Sequence, residues 1–318
     1  MVGSGRARRE RIGDLEAVVL SCGSLEAWVV PSHGSNLVRF SVGGRAVIDF
    51  DPALLAKGDY TGTPVLYPTP NRVRGGVFRW KGRDYRQVKR GKTIVEHGLV
   101  HGEPWECGEP AVEADSACLQ TWLEFRPGSA VFEAFPFPHR LGLEFRLSER
   151  GVTVTYTIHN QGEAELPFGF GLHPYFQKLA GEEGTFVCLP ADSVMEATSD
   201  LLPTGRLMEV AGAACDLRRP VAVGALDLDH VFTGLRPGGH ARIEYRGLGM
   251  TVRLEATPDF SHLVLYTPRA EGYFCLENQT CSTDAHNLFD RGFRRESGLR
   301  IVKPGEIHRG SVTYAVSH

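Results

Sequence analysis

Four stretches of the chain gather side chains that could do chemistry. FCLENQTCSTDAHN, residues 274–287, ends an apolar run in one acid, Glu277, followed by amides, hydroxyls and a histidine. A carboxylate delivered into such a cluster can serve as a positioned general base, most efficiently when its pKa is raised toward the working pH. LPFGFGLHPYFQ, 166–177, sets His173 among aromatic side chains. An imidazole there is a candidate general acid or base, because its pKa already lies near neutrality and burial can tune it. YPTPNRVRGGVFRWKG, 67–82, brackets Thr69 with prolines and places Arg72 before a Gly75-Gly76 pair. Arg72 could offer a planar fork to a ligand's oxygens, or could cap its own loop. EHGLVHGEPWE, 96–106, carries His97 and His101, each followed by glycine, and Trp105. Those glycines argue against a helix that would bring the two histidines onto one metal, and no third ligand completes a set. Trp105 either stacks on a ligand ring or fills the core. LDLDHVFTGL, 226–235, adds Asp227 and Asp229.

The elements that must position these groups alternate at period two. VTVTYTIH (152–159) puts Val152, Val154, Tyr156 and Ile158 on one face, and LGLEFRLS (141–148) repeats the pattern. So do runs at 25–31, 36–42, 241–247, 251–257, 262–268 and 311–317. These are half-buried antiparallel strands separated by glycine- and proline-rich turns. KGRDY predicts a hairpin tip between VFRW and YRQV. One short helix is expected in DPALLAKGDY (51–60), capped by Asp51 with Pro52 at its first position. The pattern predicts an all-β protein, a large antiparallel sandwich with few short helices. The arginine-rich start predicts a flexible N-terminal tail over residues 1–12, followed by a single domain over 13–318.

Composition narrows the partners. The 318 residues carry a net charge of −3, so no global basic field favours nucleic acid or an anionic membrane. No apolar run is long enough to cross a bilayer and no apolar segment follows the first arginines, so neither a membrane span nor a signal peptide is expected. Seven scattered cysteines with no C-x-x-C pair predict buried reduced thiols in a cytoplasmic protein.

The order of the motifs then matters. NR…GG.F…G..Y, HG…W, G.H.YF, D-H-x-F and E-x-Q-T…DA-x-N, running from Pro64 to Asn287, together resemble the aldose 1-epimerase (galactose mutarotase-like) family. The resemblance implies a β-supersandwich with a monosaccharide held on one sheet, no cofactor and no metal. It implies that Glu277 is the catalytic base and His173 the general acid. Arg72, His97 and Asp229 would bind the sugar, with Gln279 and Tyr175 beside the base and the acid. The histidine motif departs from a frequent family wording, and the repeated His-Gly leaves His101 as a rival to His97, whose spacing to Trp105 fits better. That shorter spacing resembles a branch whose members act on other or phosphorylated hexoses.

The expected activity is interconversion of the α and β anomers of a hexose such as galactose or glucose. The alternatives are a hexose-6-phosphate mutarotase, using Arg74 and the VKRGKT basic residues Lys89, Arg90 and Lys92, and a non-catalytic sugar-binding relative. A glycoside hydrolase would need two opposed carboxylates, for which Glu277 and Asp229 are the available pair. The protein is expected to be a monomer or a homodimer.

Overall fold

The structure, a computed structural model, describes residues 4–318. Among the described residues thirteen strands form one sheet and ten form a second, with antiparallel pairing throughout both. The first sheet runs Arg6–Ile12, Leu15–Cys22, Leu25–Val30, Asn36–Val42, Arg45–Ile48, Tyr175–Gln177, Tyr273–Gln279, His262–Tyr266, Asp229–Leu235, Ala191–Ala197 and Pro203–Glu209. Two short strands, Val65–Leu66 and Gly171–Leu172, are added beside Tyr273–Gln279. The second sheet centres on Ser116–Phe125, His139–Ser148, Gly151–Asn160 and Ile307–Ser317.

Period-two alternation builds the sandwich. His139–Ser148 alternates buried and half-buried residues from end to end, as a strand with one face on a core must. The inward side chains of both sheets join in one core that includes Leu20, Phe40, Phe176, Phe274 and Leu276 from the first and Leu119, Phe145, Val154 and Tyr314 from the second. Phe176 and Tyr314 meet edge to face across the sheets, 5.7 Å apart.

The expected helix forms at Pro52–Lys57. Asp51 Oδ1 accepts from the amides of Ala53 and Leu54, and Gly58 closes the helix in the left-handed region. Its Leu55 packs with Ala17, Val30 and Val38, on the face of the first sheet that points away from the main core. The expected hairpin forms between Val77–Trp80 and Arg83–Arg86, with Lys81 and Gly82 both at positive φ as a two-residue turn requires.

One expectation is corrected. Residues 6–12, predicted as tail, form the edge strand Arg6–Ile12 in continuous register with Leu15–Cys22; residues 1–3 lie outside the described residues. Its charge is matched locally: Arg8 lies 3.0 Å from both Glu10 and Glu26, and Arg9 pairs with Glu16. An edge strand with two half-exposed faces needs little apolar content, so alternation did not reveal it.

Candidate active site

Glu277 belongs to Tyr273–Gln279. Alternation sends Phe274 and Leu276 into the core and turns Cys275, Glu277 and Gln279 to the opposite face. Neighbouring strands continue that second face in register: Val264 and Val231 lie beside Glu277, and Tyr266 and Asp229 lie beside Cys275. The acid therefore stands on a rigid sheet floor, and loops roof it over, because Glu277 is only 2% exposed.

The roof is held by backbone. Gly171 pairs with Gln279 on one side and Leu66 on the other. Gly169 must lack a side chain, because a Cβ there would lie 2.2 Å from Cys281 Sγ and 2.7 Å from Pro70 Cδ. The amide of His173 donates to Pro64 O (3.0 Å) and that of Tyr175 to Gly62 O (2.8 Å). Thr280 supports the same segment, its Oγ1 accepting from the Phe170 amide at 2.9 Å. These contacts bring His173 Nε2 to 3.4 Å from Glu277 Oε1. Gln279 Nε2 donates to Glu277 Oε2 at 2.8 Å, so the other oxygen is left facing the histidine.

Burial drives the two groups apart electrostatically. Desolvation raises Glu277 to about 8, helped by the nearby Asp229 charge and opposed by the Gln279 hydrogen bond and Arg72. Desolvation lowers His173 to about 4. At neutral pH the pair therefore holds a single proton, shared between a carboxyl and an imidazole in near contact. Titratable pairs whose surroundings separate their pKa values in this way are the pattern of acid–base sites.

The rings form a row. His173 stacks on Tyr175 (5.1 Å), which leans on Tyr273 (4.8 Å). On its other side the ring edge of His97 meets His173 at 5.1 Å. His97 sits at φ +58°, fixed by its amide donating to Asn71 O, and Gly98 follows at φ +76°. His101 is placed differently. It stacks on Tyr60 at 4.2 Å, and its Nε2 is 3.0 Å from Gly58 O at the end of the first helix. Tyr60 in turn packs edge-on against His97 at 4.9 Å. Tyr60 was not marked by the sequence, because it lies two residues past the helix cap Gly58 with no motif around it. Trp105 is core, only 5% exposed and packed in the main apolar cluster.

Arg72 caps its own loop and keeps part of its guanidinium exposed. Asn71 Oδ1 accepts from its amide (3.0 Å) and its guanidinium (3.2 Å), while the side chain stays one-third exposed toward Asp229 Oδ2 (3.9 Å) and Glu96 Oε2 (4.0 Å). The structure thus gathers Glu277, His173, His97, Tyr175 and Gln279 at one end of the site and Arg72 with Asp229 at the other. A cleft of ≈ 190 Å³ extends from Arg72 and Asp229 over Met195, Leu201, Pro203 and Met208. A larger hollow of ≈ 960 Å³ lies against Arg6–Ile12 but is lined by no histidine. Among the described residues no group of three His, Cys, Asp or Glu side chains is placed to hold a metal ion, and no helix is long and apolar enough to cross a membrane.

Comparisons with known proteins follow the same line. The family model described as aldose 1-epimerase matches residues 16–315. An uncharacterised Escherichia coli protein, YphB, is 29% identical over 86% of this chain and 93% of its own length. Galactose mutarotase of Bos taurus is 29% identical over 74% of this chain and 76% of its own. Among solved structures, a galactose mutarotase-like protein of Clostridium acetobutylicum superposes with a TM-score of 0.88 over 99% of each chain at 21% identity, and so establishes the fold alone. A putative aldose 1-epimerase of Escherichia coli gives 0.74 at 25% identity, over 93% of this chain and 96% of that one.

Proposed function

The chain belongs to the aldose 1-epimerase family, and we propose that its site interconverts the α and β anomers of an unphosphorylated aldohexose such as galactose or glucose. The observation that carries this reading is Glu277 and His173 held 3.4 Å apart on the sheet face, with burial pushing their pKa values to opposite sides of neutrality.

Ring opening needs one proton removed from the C1 hydroxyl and one delivered to the ring oxygen. With the shared proton on His173, Glu277 takes the hydroxyl proton, the C1–O5 bond breaks, and His173 protonates O5. The products are the open-chain aldehyde, a neutral carboxyl and a neutral imidazole. Rotation about C1–C2 turns the other carbonyl face to O5. Closure then returns one proton from Glu277 to O1 and one from O5 to His173. Opening and closing thus swap two tautomers of a pair that carries one proton throughout, so no outside acid or base is consumed. Burial favours the neutral tautomer, the form that closes the aldehyde. Gln279 holds the carboxyl from behind, and its Oε1, buried and without a hydrogen-bond partner among the described residues, is a seat for a sugar hydroxyl. His97 and Arg72 bind ring or neighbouring oxygens, and Asp229 accepts from hydroxyls further round. Tyr175 keeps the His173 ring in plane.

Three of the four basic residues suggested for a phosphate, Lys89, Arg90 and Arg74, are engaged with other groups. Lys89 Nζ donates to Leu99 O (2.6 Å) and pairs with Glu103 at 3.1 Å, which Arg90 also grips through two hydrogen bonds, and Arg74 faces Asp284. This favours a neutral hexose. Anomer-exchange NMR on free and 6-phosphorylated hexoses tests the reading: faster exchange of the free sugars supports it, and exchange confined to the phosphorylated forms contradicts it.

A further inference from the structure

Resting on that reading, we propose that Asp284 is a positioning residue for Arg72: its carboxylate and its backbone, braced by Asn287, hold the loop that aims the guanidinium at the sugar and tie that loop to the strand of Glu277.

Arg72 has little else to aim it. Among the described residues its guanidinium makes one hydrogen bond, to Asn71 Oδ1 at 3.2 Å, while Asp229 and Glu96 lie 3.9 and 4.0 Å away. A long side chain so lightly held depends on the groups that fix its backbone. One side of that backbone is fixed by the segment around His97. Val73 N donates to Val95 O (2.6 Å), and Asn71 O accepts from the His97 amide (2.8 Å). The other side is fixed by Asp284. Its amide donates to Arg72 O (2.9 Å), and its Oδ1 accepts from the Arg74 amide (3.1 Å), so one residue grips the loop at two points. Asn287 braces the grip. Its Nδ2 donates to Asp284 Oδ1 (2.7 Å) and to Val77 O (2.9 Å), and its Oδ1 accepts from the Arg79 amide (3.0 Å).

Asp284 does not serve its own helix. It is the N-cap of Ala285–Asp290, where an aspartate ordinarily accepts from amides of the first turn, yet it makes no such bond. It stands instead in the left-handed region, at φ +52°, with its side chain on the arginine loop. It is only 2% exposed, and its Oδ2 has no hydrogen-bond partner among the described residues, with Arg74 Nε 3.8 Å away. A buried carboxylate half satisfied in this way costs stability, and a helix cap alone would not require it. The chain between Glu277 and Asp284 is itself pinned: Thr280 N donates to Phe170 O and Ser282 N to Ser297 O, each at 2.8 Å. The base and the arginine therefore share one mount.

The test is a double-mutant cycle read by anomer-exchange NMR on galactose and glucose, with Arg72→Ala, Asp284→Gly and the two combined in the full chain. Glycine accepts the positive φ without strain, so the substitution removes the carboxylate alone. Asp284→Gly is expected to lower kcat/KM by about tenfold in the natural background, and by less than about twofold beside Arg72→Ala, where the positioned group is gone. Asp284→Asn keeps an Oδ1 acceptor and tolerates the left-handed backbone. It is expected to stay within about threefold of the natural chain. Should Asp284→Gly bring the melting temperature into the assay range, Asn287→Ala replaces it in both backgrounds, with the same pattern expected. The proposal is overturned if the loss is equal in the two backgrounds, as a general structural defect would make it. It is also overturned if the loss is absent from the natural background, or if Asp284→Asn is as slow as Asp284→Gly. Failure of the proposed function reads differently: the natural chain then accelerates neither hexose, and the positioning role falls with it.

Discussion

At the scale of single residues, the proposed chemistry rests on two groups whose identities alone said little. A glutamate after a strand and a histidine among aromatics are each ordinary. Together, 3.4 Å apart and almost fully buried, they form a pair that carries one proton. This predicts the pH dependence. Below about 4 His173 gains a second proton for the pair and no base remains; above about 8 Glu277 loses the shared proton and no acid remains. A profile of kcat/KM against pH should be a broad bell with limbs near those values, reported as properties of the pair. A single rising limb near neutrality would mean that only one of the two titrates in the reaction. His173→Asn should lower kcat by about 10²–10⁴ with KM changed far less; a change confined to KM would make His173 a binding residue only. Of this site, the acid, the histidine, Arg72 and Asp229 were legible as motif residues. The choice between His97 and His101 was not, since both precede glycine. Backbone geometry separates them: His97 is held at positive φ against His173, whereas His101 is tied to the Gly58 carbonyl behind Tyr60.

At the scale of elements, strands provide the floor and turns provide the aim. Period-two alternation marked eight strands in the sequence, among them His139–Ser148, Gly151–Asn160 and Ile307–Ser317, each with one face in a shared core, but it did not mark Leu15–Cys22, Ser116–Phe125, Ala191–Ala197, Pro203–Glu209 or Asp229–Leu235. It failed for Arg6–Ile12, where neither face is apolar and cross-strand ion pairs replace burial. It was also silent on the short segments that roof the site, whose course is fixed by close backbone contact. Gly98 is one such point. A Cβ there would lie 2.2 Å from Tyr67 O, at a φ of +76°. Gly98→Ala should destabilise the protein in denaturant titrations by more than Gly91→Ala, which shares the positive φ (+77°) but meets nothing within 4 Å. The φ strain common to both is about 1–3 kcal/mol, so the excess isolates the clash. Gly98→Ala should also slow anomer exchange by moving His97. Equal stability for the two variants would show that the Tyr67 contact yields freely.

At the scale of the whole molecule, the site draws on stability that the two-sheet core supplies. Below pH 4.5 Glu277 is protonated in folded and unfolded chains alike. Between 4.5 and about 8 the unfolded chain ionises while the folded carboxyl keeps its proton, so each rise in pH favours unfolding, by at most about 1.4 kcal/mol per unit. His173 acts in the opposite direction, with stability lost as pH falls from 6.5 toward about 4. Glu277→Gln removes the first dependence only. The variant should melt several degrees above the natural protein at pH 9 and close to it at pH 4.5; a lower melting temperature at pH 9 would mean that the carboxylate is stabilised by contacts beyond those described. A variant that is folded and more stable under alkaline conditions also gives the most direct trial of the catalytic role. Anomer exchange of galactose and glucose should be measured by NMR at pH 7 for the natural chain and for Glu277→Gln. The natural chain should accelerate exchange, and the variant should fall by about 10²–10⁴, toward the uncatalysed rate. Exchange in the folded variant within a few-fold of the natural chain would contradict the assignment of Glu277 as the base.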